Sequence, residues 1–171
     1  MRWPVILACA VAIACGNKHR DEPEPPATPP GLVSQSTVAA SCERLAPKAV
    51  IEKHLAGFAF DAMGSSGLDV SPGPGMLCVF RKPGSQDADL ETVMISFAPG
   101  DADQNTKRLD AMVKNGGAHE VTGIGRRAVS VANTIEFWSS LTSCVVSLPA
   151  NEQLAKDLDA TLTLDACPNP R

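Results

Sequence analysis

A chain of 171 residues suits one domain of ordinary size, since a single core typically serves roughly one to two hundred residues. Its formal net charge of -4 argues against nucleic acid, whose phosphates need clustered Lys and Arg to displace counterions. The basic pairs Arg81-Lys82, Lys107-Arg108 and Arg126-Arg127 are scattered among sixteen acidic residues after Ser41, the pattern of a solvated mixed-charge surface.

The N-terminus has a basic start at Arg2, an apolar stretch from Trp3 to Ala14 and small residues at its end. This is the layout of a secretory signal peptide, and twelve apolar residues are too few for a permanent spanning helix. Ala12-Ile13-Ala14-Cys15 resembles the lipobox of bacterial lipoproteins, in which the cysteine takes a diacylglycerol and becomes the first mature residue. Ala12 stands where that family usually has Leu. Ile6-Leu7-Ala8-Cys9 fits the pattern too, but cleavage there would leave an apolar core of only a few residues. A free cysteine is a liability in an oxidising compartment, which favours lipidation of Cys15 over simple cleavage before it. Several acyl chains hold a protein firmly on a membrane where one holds marginally, at about 0.8 kcal/mol per methylene. Gly16 after the cysteine implies, by the enterobacterial sorting convention, an outer-membrane lipoprotein. Residues 1–14 are thus expected to be a signal peptide and 15–40 a lipidated cysteine with its tether.

The tether carries five prolines between Asp21 and Pro30. Proline has no backbone donor and a fixed φ, so this stretch neither joins a sheet nor propagates a helix. As polyproline II, the segment up to Ala40 would reach on the order of 75 Å, enough to lift a domain clear of lipid headgroups.

Residues 41–171 are expected to form a single folded domain. Its first helix starts at Ala46-Pro47, where the missing donor of proline costs nothing, and ends at Gly57. "MLCVFRK" (Met76–Lys82) and "ETVMISFA" (Glu91–Ala98) read as strands joined by a polar link, with Val93, Ile95 and Phe97 on one face. Asp101, with Gln104 three residues on, caps a second helix with the stripe Leu109, Met112 and Val113, closed by Gly116-Gly117. "HEVTGI", "RAVSVA", "TIEFWSS" and "TSCVVSLP" follow as short antiparallel strands. A third helix runs from Asn151 to Leu162, with Leu154, Leu158 and Leu162 on one side. The order α-β-β-α-β-β-β-(β)-α predicts an α+β fold, an antiparallel sheet of about five or six strands covered by about three helices. The Gly- and Pro-rich stretch Asp61–Gly75 reads as a mobile loop and a place for recognition.

Of six cysteines, Cys9 leaves with the signal peptide and Cys15 is lipidated, so Cys42, Cys78, Cys144 and Cys167 remain. Four cysteines in an exported chain imply disulfides with three connectivities. Pairing Cys42 with Cys78 and Cys144 with Cys167 is favoured: it pins the first helix to the first strand and the C-terminal tail to the last strand. No CxxC spacing supports zinc, and no metal or cofactor is expected.

Other motifs fail on context. "GIGRRA" (Gly123–Ala128) matches the GxGxxA dinucleotide fingerprint but continues as strand instead of opening a helix. "DADQN" (Asp101–Asn105) opens like a calcium loop, but Thr106 and Met112 stand where glycine and glutamate are required. His19, His54 and His119 form no HExxH, and no G-x-S-x-G elbow is present. In the aromatic pair Phe137-Trp138 the two rings point to opposite strand faces, so one enters the core and the other faces outward or lies under a helix; core filling is favoured for both, and an exposed Trp138 would mark a binding face.

"SCERLAPKAVIEKHLAG", "GMLCVFRK" and "VTGIGRRAVSV" together resemble an uncharacterised family of small exported lipoproteins, over about Ser41 to Leu162. The resemblance implies a PsbP/Mog1-type sandwich whose members mostly act as accessory or binding proteins, and it also implies the Cys42–Cys78 pairing. The expectation is an envelope lipoprotein, attached by lipid to the outer membrane, whose domain binds an envelope partner without catalysis. The alternatives are a small hydrolase or metal-dependent enzyme whose groups converge only in three dimensions, and a purely structural lipoprotein.

Overall fold

The computed structural model describes residues 34–70, 73–84, 91–163 and Cys167. Cys15, the expected signal peptide and the proline-rich part of the tether lie outside the described residues. The described domain is α+β, with four helices and a wholly antiparallel sheet of eight strands, more of each than the pattern predicted.

The first addition is helix α1, Gln35–Leu45. It starts inside the stretch read as tether, so the folded part begins ahead of Ser41. Ser34 caps it by accepting from the Thr37 N–H, and Val38, Cys42 and Leu45 form a buried stripe at helical spacing. Helix α2 is short, Lys48–His54, with Pro47 at its N-cap. Two strands then occupy the expected loop region and the residues before it: β1, Ala59–Phe60, and β2, Ser66–Val70. Both pair with β3, Gly73–Arg81, whose length hides their separation. Ser65 bridges the gap between them. Its hydroxyl donates to the Asp61 carbonyl and accepts from the Val79 N–H, so the β3 backbone stays satisfied where neither strand reaches. The described residues of Asp61–Gly75 are therefore largely strand and turn, because β3 extends three residues ahead of Met76 and offers β2 a partner.

The remaining elements follow the expected order: β4 Thr92–Pro99, α3 Ala102–Lys114, β5 Ala118–Val121, β6 Arg127–Val131, β7 Thr134–Trp138, β8 Cys144–Pro149 and α4 Glu152–Thr161. The sheet order is β1-β3-β4-β8-β7-β6-β5, with β2 also on β3. After β4 the chain crosses to the far edge through α3, and β5 to β8 return hairpin by hairpin until β8 closes on β4. Asp101 caps α3 by accepting from the Asp103 and Gln104 N–H groups, and Gly116 closes it with φ +76.

One sheet face carries the main core. Cys78, Ile95, Phe97, Phe137, Val146 and Leu148 pack against α1, α2 and α4, and Leu154, Leu158 and Leu162 are buried as their spacing predicted. Helix α3 lies on the other face over β5 and β6, where it buries Leu109 and pairs Arg108 with Glu136 and Asp110 with Arg127. Two disulfides, Cys42–Cys78 and Cys144–Cys167, join α1 to β3 and the tail to β8.

The two-residue turn between β6 and β7 holds Ala132 at φ +49, a conformation that favours glycine. Ala132→Gly is expected to raise stability by about 1 kcal/mol in a thermal melt, because relief of the positive φ outweighs the added chain entropy.

Candidate functional site

A concavity with a volume of about 430 Å³ lies where α1 and α2 meet the β1 edge of the sheet. Its walls are mainly apolar: Cys42 from α1, Ile51 from α2, and Phe58, Phe60 and Phe80 from the sheet side. Phe60 and Phe80 are cross-strand partners and meet edge to face, with centroids 6.0 Å apart. Phe80 is buried, whereas Phe60 keeps 37 % of its surface exposed. Cys42 lines the groove, and its bond to Cys78 ties the helical wall to the sheet.

The rim is charged. Lys48 and Glu52 form an i,i+4 pair at 3.5 Å with both side chains largely in solvent. Glu43 has no ion-pair partner among the described residues. The groove therefore has an apolar interior with a slight excess of negative charge at its mouth.

Trp138, the candidate for a binding face, does not line this groove. Phe137 enters the core, as strand alternation requires, and Trp138 turns to the opposite face. There the Arg126 guanidinium lies 4.6 Å from its ring centroid. Arg126 is itself held: its Nε donates to the Ser140 carbonyl at 3.3 Å, and its backbone N–H donates to the Trp138 carbonyl at 2.8 Å. A shallower concavity of about 330 Å³ on that sheet face is lined by Leu77, Met94, Ser96 and Ser147, again without Trp138.

The histidine and carboxylate groups that could support hydrolysis converge at one place. His54 Nε2 lies 2.7 Å from Asp157 Oδ2, and Lys53 Nζ donates to the same oxygen at 2.6 Å. Gln153 donates to the other oxygen at 3.1 Å. This cluster joins α2 to α4, and its hydrogen-bond partners among the described residues include no serine or cysteine nucleophile. Asp159, only 8 % exposed, accepts from the Ser140 N–H and hydroxyl at 2.9 and 2.6 Å, which latches the β7–β8 turn onto α4. Among the described residues no group of three or more His, Cys, Asp or Glu side chains could hold a metal ion.

The Lys53 ammonium and then the His54 ring hold the Asp157 carboxyl well below the usual carboxylate range. A carboxyl depressed in the folded state stabilises the fold above its unfolded pKa, near 3.9, and loses that contribution as pH falls toward the folded value. Asp157→Asn is therefore expected to lower stability at neutral pH, with the gap to the parent protein closing below about pH 4 in urea titrations. A gap that stays constant from neutral to acid pH contradicts the pairing.

Sequence reasoning passed over the groove because its lining comes from four separate elements. One local signal was present: Phe58-Ala59-Phe60 after Gly57 alternates at strand period and marks a short strand with both rings on the same side. Comparison of the chain with protein-family models, with curated proteins and with solved structures finds no match.

Proposed function

We propose that the chain is a lipid-anchored, non-catalytic binding module of the bacterial cell envelope, held on the outer membrane through Cys15. The observation that carries this reading is the apolar groove of about 430 Å³ between α1, α2 and the β1 edge, with a partly exposed phenylalanine at its mouth. Its rim is polar, and a disulfide holds one wall to the sheet. Two disulfides in a small domain suit an oxidising compartment outside the cytoplasm. A proline-rich tether after Cys15 would present such a groove to neighbours beyond the headgroups. The likeness to small exported lipoproteins with a PsbP/Mog1-type sandwich belongs to the same reading.

The anchor and the groove are tested together. Cys15→Ala should abolish incorporation of labelled fatty acid and release the protein from the membrane fraction; retained label overturns the anchor. A photoreactive phenylalanine analogue in place of Phe60 should give a discrete crosslinked adduct in intact cells, whereas the same analogue in place of Lys114, on the far helix α3, should not. Indistinguishable adduct patterns at the two positions overturn the groove as the binding site.

A further inference from the structure

The groove has a second feature beside it. Strands β1 and β2 lie along the same side of β3, and among the described residues no strand pairs with the outer edge of β1. The Asp61 N–H donates to the Val79 carbonyl at 2.8 Å, and Phe60 stands one residue before Asp61. In an antiparallel ladder, consecutive residues turn their N–H and C=O alternately toward and away from a given partner strand. The Phe60 N–H and C=O therefore point away from β3, out of the sheet, and have no partner among the described residues. Two residues make too short an edge to template open-ended aggregation, yet long enough for one complete pair of main-chain bonds.

Register decides where a strand added at this edge would send its side chains. Directly opposed residues in an antiparallel pair point to the same face. Phe60 points to the face that carries Phe80 and the groove. A residue paired with Phe60 from outside would place its own side chain on that face, beside the groove mouth. Residues two positions away on the incoming strand also project to that face, where Glu43 and Glu52 stand on the rim with Lys48 their sole opposite charge among the groove's lining residues.

Resting on the binding-module reading, we propose that the β1 edge and the groove form one docking site for an extended peptide segment of a partner protein. The segment pairs its main chain with Phe60, seats a large apolar side chain in the groove and carries basic residues two positions to either side. Main-chain pairing supplies general affinity, and the groove with its acidic rim supplies selection, as in strand-addition recognition elsewhere.

The test uses the full chain and a synthetic probe, the acetylated and amidated peptide Ser-Arg-Val-Phe-Val-Arg-Ser. Binding on the order of tens of micromolar is expected, with amide shifts at Phe60 and Ala39. Methylating the backbone nitrogen of the central phenylalanine should weaken binding by about tenfold, because one main-chain bond is lost and the strand is held off. Glu43→Lys should weaken it by about threefold and favour a probe with Glu in place of Arg. Ala39→Trp fills the groove from the α1 surface and should abolish binding with the fold retained by circular dichroism. If that variant misfolds, the methylated probe on the parent protein still decides. Equal affinity of the methylated probe, or no binding at about 1 mM, overturns the proposal. Hexadecanoate separates the two levels of inference. Should it shift Phe60 and Ala39 while the peptide does not, the peptide proposal falls and the binding module stands. Should neither bind and the Phe60 crosslink also fail, both fall.

Discussion

Replacing Cys42 and Cys78 together with alanine is expected to lower the unfolding free energy by about 4 kcal/mol, the loop-closure entropy of a crosslink across 36 residues. Domains of this size hold only about 5–15 kcal/mol in total, so the variant should be marginal at physiological temperature. Both sulfurs sit in the core, with Cys42 at 1 % and Cys78 at 0 % exposure, so the thiols left by reduction would stay packed while the covalent restraint is gone. Urea unfolding of the parent protein with and without reductant, beside the double alanine variant, measures the two contributions separately. A loss below about 1 kcal/mol would sink the claim that this bridge holds the fold. The Cys144–Cys167 bridge spans 23 residues and should be worth slightly less, about 3 kcal/mol. The two variants should differ in function as well as stability. The first bridge ties a groove wall to the sheet, so its loss should also erase the Phe60 crosslink. The second bridge lies away from the groove, and its loss should leave the crosslink in place wherever the protein remains folded.

Gly125→Ala should cost about 3 kcal/mol, whereas Gly123→Ala, two residues away in the same motif, should cost about 1 kcal/mol. Both glycines have positive φ, +75 at Gly123 and +56 at Gly125, which an alanine tolerates poorly. They differ in what surrounds them. A Cβ on Gly123 would meet nothing nearer than the flexible end of Lys156 at 3.8 Å. A Cβ on Gly125 would collide with the Trp138 carbonyl oxygen, which already accepts the Arg126 N–H. Relief would require the β5–β6 turn to lift off β7 and break that bond, and would disturb the buried Ile124 between the glycines. Thermal melts of the two variants should therefore separate clearly, and equal destabilisation would show that φ alone decides both positions. The GxGxxA pattern is thus explained by turn geometry and close backbone approach between strands, with no phosphate required.

Several elements were legible because their signals are local. The α3 cap at Asp101, its glycine stop and the leucine stripe of α4 depend on side chains within a few residues of one another, where hydrogen-bond reach and helical period act directly. The strands from β3 to β8 carry β-branched residues between turn signals and were located to within a few residues. Helix α1 is not legible because it follows closely on a proline-rich run and its apolar stripe is only Val38, Cys42 and Leu45, with a disulfide cysteine at its centre. Strand β2 was missed because glycine-rich sequence has weak strand propensity, and only the long neighbour β3 supplies its hydrogen bonds.

By itself the sequence determined the fold class, the elements with local caps and periodicity, and the favoured pairing of the four domain cysteines. It also supplied the whole basis for expecting a lipid anchor at Cys15, since that expectation rests on a linear motif read by processing enzymes. The tertiary structure alone decided that β8 returns to β4, that β1 is left as an edge, and that Trp138 lies under Arg126. It alone brought Cys42, Ile51, Phe60 and Phe80 around one groove. The reason is range. Caps, stripes and turns are governed by interactions between near neighbours in the chain, whereas a groove is the space left where helices and strands far apart in sequence fail to fill the corner between them.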